Sequence, residues 1–258
     1  MWVQVVSCLA RPTCHATVAA VMAARSYLVV DIETVVDPAL PRAQTGQDGA
    51  LPPPPFHQVV VIGALWLSAE YGIERLGVVG DGKSERGILE DFARFLTDRR
   101  PELVTYNGRG FDLPVIAARC LRHGVVFRHY YASRDVRYRY SPQGHLDLMD
   151  FLTDFGACRA SKLDVVARAV GMPGKVGVEG KDVGPLVHAG KLAEVQAYCL
   201  CDVVQTAGVF LRLQLVRGEL EPDSYRQAMA ELCQRIDDDE RLAPVAAGMD
   251  RARLLLEE

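Results

Sequence analysis

Residues 27–34 read YLVVDIET, and this stretch decides the fold. Its β-branched and aliphatic side chains have the composition of a buried strand, which two acids, Asp31 and Glu33, interrupt. Because side chains alternate between the two faces of a strand, residues two apart project on the same side and both carboxylates can reach one ion. A strand end that runs into solvent explains the same pair, since Asp-x-Glu is a short pattern. The stretch therefore predicts a buried strand and a candidate metal-binding pair.

A third acid follows a second predicted strand, residues 102–105. After that strand come two glycines in a tight turn and then Asp112, which stands directly before an apolar, helix-like stretch running to about Arg122. Pro114 lies in the first turn of that stretch, where its missing N–H costs little. Asp112 is predicted as an ordinary helix N-cap or as a metal ligand, and the two roles do not exclude each other. Asn107, at the same strand end, can turn its amide toward a substrate.

A long helix is predicted over residues 191–213, because apolar residues recur there every three or four positions. Asp202 lies beside the apolar stripe, one turn after Tyr198, so the carboxylate and the phenol share a face of the helix. A hydrogen-bonded polar pair on a structural helix explains this spacing as well as a catalytic pair does. The helix therefore supplies a candidate fourth acid and a candidate phenol.

Together these pieces resemble the DEDD superfamily of 3′–5′ exonucleases, in the branch with tyrosine in its third motif (DEDDy). The resemblance covers residues 26–217. It is carried by three ordered motifs, Asp31-x-Glu33, Asn107-x-x-x-Phe111-Asp112 and Tyr198-x-x-x-Asp202. Within the superfamily the chain is most similar to the bacterial predicted exonucleases related to the proofreading domain of family B DNA polymerases. The resemblance implies an RNase H-like α/β fold, a mixed β-sheet with helices on both faces, plus C-terminal helices.

The resemblance also implies a two-metal hydrolase. In it, Asp31 bridges two divalent cations, Glu33 and Asp202 are further ligands, and Asp112 binds directly or through water. Two cations about 3.5–4 Å apart stabilise charge on the attacking and leaving oxygens. Oxygen ligands suit hard cations, Mg or Mn, and the quartet contains no Cys or His. Tyr198 is implied to orient the attacking water, because a phenol with a pKa of about 10 is a poor base at neutral pH.

Substrate contacts are predicted in two places. They are Thr34, Asn107 and Phe111 beside the acids, and Arg134, Arg137 and Arg139 in a basic and aromatic stretch at residues 128–140. The first group is expected near the nucleotide that is cleaved. In the second, arginines can neutralise phosphates while tyrosines stack on unpaired bases. A solvated loop whose tyrosines pack back on the core is the alternative for that stretch.

The charge balance argues against a protein that coats nucleic acid. The 258 residues carry 29 Lys and Arg against 33 Asp and Glu, a net charge of −4, and 49% of them are hydrophobic. Sequence-independent coating requires bulk positive charge, whereas an enzyme that grips a few terminal nucleotides needs less. We predict one exonuclease domain over residues 26–218 and a C-terminal helical segment over residues 219–258 that packs on it.

Residues 1–25 are predicted to be an N-terminal extension, either disordered or preceding a true start at Met22. Arg11 and Pro12 interrupt its apolar residues, so neither a cleaved signal peptide nor a membrane span is predicted, and no membrane partner is expected. The seven cysteines are odd in number and lack Cys-x-x-Cys spacing, which predicts reduced thiols in the cytoplasm. Cys199 and Cys201 are predicted to pack as small apolar residues.

The remaining sequence predicts further elements of an α/β domain. They are strands at 59–67 and 72–79, antiparallel to the first; helices at 84–99 and 162–170, the second with a capping box from Ser161 to Asp164; a proline-rich extended connection at 38–55; a glycine-rich loop at 174–181, either on the substrate side or merely solvated; and two tail helices split by acids at 237–240. Asp147 is predicted to be a structural aspartate at a strand end.

Three functions are compatible with these patterns. The first is a metal-dependent 3′–5′ exonuclease on single-stranded DNA, in repair or end processing. The second keeps the mechanism but acts on RNA, since little in the motifs reads a 2′-hydroxyl. The third is a non-catalytic nucleic-acid-binding module, against which the intact acids and tyrosine argue. The sequence leaves protein partners open.

Overall fold

A computed structural model describes residues 25–40, 52–141 and 143–257. In this part of the chain one sheet has five strands in the order β3-β2-β1-β4-β5. The strands are β1 (Tyr27–Val36), β2 (His57–Leu67), β3 (Ile73–Val78), β4 (Glu102–Thr105) and β5 (His145–Asp147). β2 runs antiparallel to β1, whereas β4 and β5 run parallel to it. The predicted mixed sheet is confirmed.

Helices connect the strands and extend beyond them. They are α1 (Glu85–Arg99), α2 (Asp112–His123), α3 (Arg128–Ala132), α4 (Arg134–Arg137), α5 (Leu148–Leu152), α6 (Leu163–Val170), α7 (Gly180–His188), α8 (Leu192–Val216), α9 (Pro222–Asp237), α10 (Ala243–Gly248) and α11 (Arg251–Leu255). Two 3-10 turns, Pro54–Phe56 and Glu240–Leu242, complete the described elements.

Strand β1 lies at the centre of the sheet and is buried on both faces. Tyr27 and Val29 belong to the core that α6, α8 and α9 cover, whereas Leu28, Val30 and Ile32 belong to the core under α1 and α2. This alternation follows from the period-two geometry of a strand. Helices therefore pack on both faces of the sheet, as the sequence predicts, and odd-numbered residues of β1 face α8.

Helix α8 is the central helix of the domain. Among the described residues, α8 is the helix that is long enough and apolar enough to cross a membrane. Its most apolar window is 78% buried, however, because the helix packs against β1, β2, α6 and α9. Buried residues on all sides explain its apolar composition without a membrane.

A buried ion-pair cluster joins α1 and α2 to the end of β1. The guanidinium of Arg119, only 2% exposed, donates to Asp37 at 2.7 Å and to Glu85 at 2.6 Å. The same guanidinium donates to the main-chain oxygen of Pro55 at 3.3 Å, and Glu85 accepts from the main-chain N–H of Val59 at 2.8 Å. The cluster fixes the ends of the chain segment between β1 and β2.

Several local predictions need correction. Strand β3 is antiparallel to β2 and therefore runs parallel to β1, not antiparallel to it. The predicted capping box is wrong, because Lys162 is the N-cap of α6 and makes no side-chain cap. The proline-rich connection is not extended throughout, since residues 54–56 form a 3-10 turn.

Helix α7 was not predicted, because Gly180, Gly184 and Pro185 disfavour a helix interior. Contacts of Val183 with the core beneath it outweigh that preference. The predicted glycine-rich loop ends where α7 begins, and Lys175, Glu179 and Lys181 form ion pairs there.

Other predictions fall partly outside the described residues. Of the predicted N-terminal extension only Arg25 is described, and Cys8 and Cys14 lie outside the described ranges. The five described cysteines are free thiols. The chain beyond α8 forms α9 to α11, and α9 and α11 pack against the same core as α8.

Candidate active site

Strand β1 presents two acids to α8. Asp31 and Glu33 are two residues apart and lie on the same face of β1 as Tyr27 and Val29, so they project toward α8. Glu33 is 9% exposed and Asp31 is half-buried. After Glu33 the ladder with β2 shifts by one residue, in an irregularity of the β-bulge type. The first predicted pair therefore lies on one face at a strand irregularity.

The loop after β4 carries the third acid. Register with β1 pairs Val29 with Val104, so the end of β4 lies beside the acids. Helix α2 begins at Asp112, and its N-cap is Phe111, which makes no side-chain cap. The N-cap interpretation of Asp112 is therefore wrong. Asp112 is 5% exposed and lines the same cavity as Asp31.

Asp147 holds this loop in place, as predicted for a structural aspartate. One carboxylate oxygen accepts from the main-chain N–H of Asn107 at 2.9 Å, and the other accepts from that of Arg109 at 2.8 Å. The first oxygen also caps α5 by accepting from Met149. Asn107 has a φ of 65°, which an L-residue rarely adopts and which these hydrogen bonds support.

Helix α8 supplies the remaining groups. Tyr198 and Asp202 lie one turn apart, and both line the cavity that the other acids line. Cys199, between them in sequence, is fully buried and approaches Asp31. The helix thus presents a phenol, a thiol and a carboxylate to the sheet within one turn.

These elements line an open cavity of about 530 Å³. It is lined by Asp31, Ile32, Glu33, Pro52, Pro53, Pro54, Tyr106, Asn107, Gly110, Phe111, Asp112, Tyr198 and Asp202. All four predicted acids and the predicted tyrosine therefore meet in one place. The tightest group is Asp31, Glu33 and Cys199, each with a ligand atom within 4.8 Å of the others.

The acids perturb one another strongly. Burial, followed by the charges of Asp112, Glu33 and Asp202, raises the pKa of Asp31 well above its ordinary value, and the hydrogen bond from the Cys199 thiol works in the opposite direction. Burial, followed by the charges of Asp202 and Asp112, raises the pKa of Glu33 to about 9. Packing several carboxylates together makes each of them harder to ionise.

The other groups follow the same rule. Burial raises the pKa of Asp112 to about 7 and that of Asp202 to about 6, and the Tyr198 phenol lowers the latter pKa. Burial and the charge of Asp202 raise the pKa of Tyr198 above its ordinary value, so the phenol keeps its proton. Within the described ranges none of the four acids forms an ion pair with Lys, Arg or His.

This donor set fits divalent cations. Buried carboxylates without a cationic partner require compensation, and hard cations accept carboxylate oxygens as ligands. Asp31, Glu33, Asp112 and Asp202 provide up to eight such oxygens around one cavity. The arrangement can therefore hold metal ions beside a protonated phenol.

The predicted contacts near the acids divide into two groups. Asn107 and Phe111 line the cavity, as expected of residues that touch the end of a substrate. Thr34 does not line it. Its hydroxyl hydrogen-bonds with the His57 ring at 2.9 Å, because Thr34 has the opposite parity to Asp31 and faces away from α8.

The basic stretch is not a loop but contains the short helices α3 and α4. The three arginines predicted as phosphate contacts each lie against another side chain. Arg139 donates to Asp150 through two nitrogens, Arg137 lies over the rings of Tyr130 and Tyr131, and Arg134 lies over Tyr138. None of the three arginines lines the cavity.

Some lining residues were missed. Tyr106 and the prolines at 52–54 form apolar walls of the cavity, and the Tyr106 hydroxyl donates to the main-chain oxygen of Ser161 at 2.7 Å. Tyr106 stands directly before Asn107, and this position beside the second motif is the sequence signal that could have identified it as a lining residue. The proline wall and Cys199 depend on contacts between distant segments, which no local pattern reveals.

Comparison with family models finds one match. The family described as a predicted 3′–5′ exonuclease related to the exonuclease domain of PolB matches residues 51–247. This range includes Asp112, Tyr198 and Asp202. No curated protein sequence matches the chain.

Solved structures resemble the chain at low sequence identity. The family B DNA polymerase of the hyperthermophilic archaeon Pyrobaculum calidifontis is 20% identical, with a TM-score of 0.53, over 90% of this chain and 28% of the polymerase. That likeness supports the RNase H-like α/β fold. A product-bound exonuclease I is 15% identical over 72% of this chain and 47% of its own, with a TM-score of 0.40. A zinc-bound complex of Escherichia coli exonuclease I with single-stranded DNA is 16% identical over 72% and 43%, with a TM-score of 0.34.

Proposed function

The chain belongs to the family of predicted 3′–5′ exonucleases related to the exonuclease domain of PolB, and from that membership we propose that it removes nucleotides from the 3′ end of single-stranded DNA with two divalent cations. The observation that carries the proposal is the cavity that four acids line together with the phenol of Tyr198, where none of these acids forms an ion pair within the described part of the chain. The tyrosine-containing third motif supports placement in the DEDDy branch.

Each acid has a role in this proposal. Asp31, Glu33 and Asp202 hold the cations, and Asp112 completes the set directly or through water. When bound, the cations neutralise the carboxylates and supply positive charge where negative charge develops on the phosphodiester oxygens. Burial, followed by mutual repulsion among the acids, raises the pKa values of Asp31 and Glu33, and cations that neutralise these carboxylates relieve both penalties.

Tyr198 orients the attacking water. Burial and the charge of Asp202 hold the pKa of the phenol above its ordinary value, so Tyr198 is poorly suited to act as a general base at neutral pH. A fixed hydroxyl one turn from Asp202 can accept from, or donate to, a water that lies beside the metal ligands. Tyr198 therefore contributes orientation, whose loss slows hydrolysis without abolishing it.

The apolar wall of the cavity suits the terminal nucleotide. Phe111 and Tyr106 offer ring faces on which an unpaired base can stack, and the amide of Asn107 offers a hydrogen bond. DNA as the substrate is supported by the family's relation to the exonuclease domain of a DNA polymerase.

A surface for the rest of the strand lies on α3, α4 and the residues after them. Tyr131, Tyr138 and Tyr140 are 57%, 46% and 57% exposed, an arrangement that suits stacking with unpaired bases. Arg134 and Arg137 lie over neighbouring tyrosine rings and retain their charge for phosphates. Arg139, which is paired with Asp150, serves this surface by holding it in place.

The test uses DNA and RNA oligonucleotides of one sequence, each labelled at the 5′ end, with Mn²⁺ or Mg²⁺. We expect a ladder of products shortened one nucleotide at a time from the 3′ end of DNA. Asp31→Asn is expected to abolish the ladder, whereas the exposed Asp98→Asn on α1 is the matched control and is expected to retain it.

Four outcomes would contradict parts of the proposal. Faster shortening of RNA would replace the substrate, and release of the labelled 5′ nucleotide would reverse the polarity. Binding of DNA without any cleavage in either metal would identify a binding module. Equal activity of Asp31→Asn and the wild-type chain would remove the quartet from the mechanism.

A further inference from the structure

The thiol of Cys199 lies against the acid at the centre of the site. Its Sγ is 3.5 Å from Oδ2 of Asp31 and 3.4 Å from the main-chain oxygen of the same residue. Both are hydrogen-bond distances for a sulfur donor, and Asp31 offers only acceptors when ionised. Cys199 is 0% exposed, so the contact is formed entirely within the protein.

The neighbouring strand leaves this sulfur little freedom. Gly63 stands opposite Asp31 in the β1–β2 ladder, and a Cβ at that position would come within 2.8 Å of the Cys199 Sγ and within 3.0 Å of Val203. The missing side chain at Gly63 therefore creates the space that the thiol occupies. With β2 behind it, the sulfur is held against Asp31.

The carboxylate of an aspartate on a strand turns easily, because the torsion that orients its oxygens is broad. A donor fixed behind one oxygen restricts that rotation and leaves the other oxygen directed into the cavity. Hydrogen-bonding partners of metal ligands act in this way, and their loss weakens metal binding. Among the described residues, the Cys199 thiol is the side-chain donor that contacts the Asp31 carboxylate.

We propose that Cys199 is a positioning residue, whose buried thiol orients the Asp31 carboxylate for cation binding. The inference rests on the proposed function, in which Asp31 is a cation ligand. Cys199 does not touch the substrate or the reacting atoms. Its contribution is to the affinity for the cation and not to the hydrolytic step.

The same helix provides a matched control. Cys201 is also buried, at 4% exposure, but its Sγ contacts the main-chain oxygen of Arg241 at 3.9 Å and not Asp31. Cys201→Ala therefore removes the same atoms from the same helix without touching Asp31. Any effect of lost volume or of a weakened helix appears in both alanine variants.

The experiment titrates Mn²⁺ into the full chain, without nucleic acid, by isothermal calorimetry. We expect Cys199→Ala to raise the dissociation constant about tenfold, the lower end for loss of a ligand's hydrogen-bonding partner, because a thiol is a weak donor. Cys199→Ser keeps a donor and is expected to lie within about threefold of the wild type. Cys201→Ala is expected to bind Mn²⁺ as the wild type does.

A second readout separates positioning from general damage. With saturating Mn²⁺ the turnover of Cys199→Ala is expected to recover to the wild-type value, so that only the metal concentration needed for half-maximal rate changes. Unaltered Mn²⁺ affinity in Cys199→Ala, or an equal loss in Cys201→Ala, would overturn the inference. If Cys199→Ala does not fold, a tenfold loss in Cys199→Ser overturns it and retained affinity supports it.

The proposed function fails in a different way. A wild-type chain that binds no Mn²⁺ and cleaves no DNA would remove the metal site altogether. A wild-type chain that binds and cleaves, but whose Cys199→Ala variant is unchanged, would remove only the role of Cys199.

Discussion

Replacing Glu33 with Gln should stabilise the metal-free protein and remove its response to metal. Burial and the charges of Asp202 and Asp112 raise the pKa of Glu33 from 4.5 to about 9. A carboxyl group whose pKa is higher in the folded state contributes stability that is present below its unfolded pKa and is lost as the pH rises through its folded pKa. The metal-free protein therefore loses stability as the pH rises from about 4.5 to about 9. Glutamine has the same shape and cannot ionise, so it escapes this loss.

The magnitude follows from the gap between the ordinary pKa and the pH of the assay. At pH 7 that gap is about 2.5 pH units, which at about 1.4 kcal/mol per unit makes Glu33→Gln more stable on the order of 3 kcal/mol without metal. For a domain of this size, that gain corresponds to a rise in Tm of roughly 6–12 °C. Between pH 7 and 9 histidines do not contribute, because their unfolded pKa is about 6.5.

The assay is thermal unfolding in chelator and in excess Mn²⁺ at pH 7, 8 and 9. We expect the wild-type Tm in chelator to fall as the pH rises, that of Glu33→Gln to fall less, and Mn²⁺ to raise only the wild-type Tm substantially. Glu74→Gln, an exposed change on β3, is the control and should behave as the wild type does. A Glu33→Gln variant that is less stable in chelator, or is stabilised by Mn²⁺ as much as the wild type, would refute the electrostatic account.

Other changes test further contacts. Tyr198→Phe should lower kcat roughly 10–100-fold through lost orientation of water, measured in single-turnover assays, and a loss as complete as that of Asp31→Asn would contradict the orienting role. Arg119→Met removes the buried cation between Asp37 and Glu85. These carboxylates keep their contacts with the more exposed Arg122 and His123, so the free energy of unfolding should fall by about 3 kcal/mol in urea titrations, the low end for a broken buried ion pair; an unchanged midpoint would show that the cluster is dispensable. Asp147→Ala releases two main-chain N–H groups of the loop after β4 and should lower kcat/KM at least tenfold with Mn²⁺ affinity retained. An unchanged kcat/KM would mean that the loop keeps its conformation without Asp147.

The sequence revealed the parts of the site that depend on local geometry. Asp31 and Glu33 follow from the alternation of a strand, and Tyr198 and Asp202 from one turn of a helix. The approach of these pieces required the register of β4 beside β1 and the packing of α8 on the sheet. The order of the three motifs, known from the family that they resemble, replaced that tertiary information. For this reason the prediction included all four acids that line the cavity.

What the sequence missed depends on partners distant in the chain. Arg139 was predicted as a phosphate contact, but it is paired with Asp150. Thr34 was predicted beside the substrate, but its strand parity turns it toward His57. Cys199 was predicted to pack as a small apolar residue. Its contact with Asp31 depends on the space that Gly63 leaves on β2, and the local sequence around Cys199 does not show that space.

The central claim is that the four acids hold two cations. The most direct test is to locate Mn²⁺ by anomalous diffraction in crystals of the chain soaked with the metal and a nucleoside monophosphate. The account predicts two anomalous peaks about 3.5–4 Å apart in the cavity between β1, α2 and α8, one on each side of Asp31, and their loss in Asp31→Asn. Peaks only elsewhere on the protein, with none beside Asp31, would contradict it.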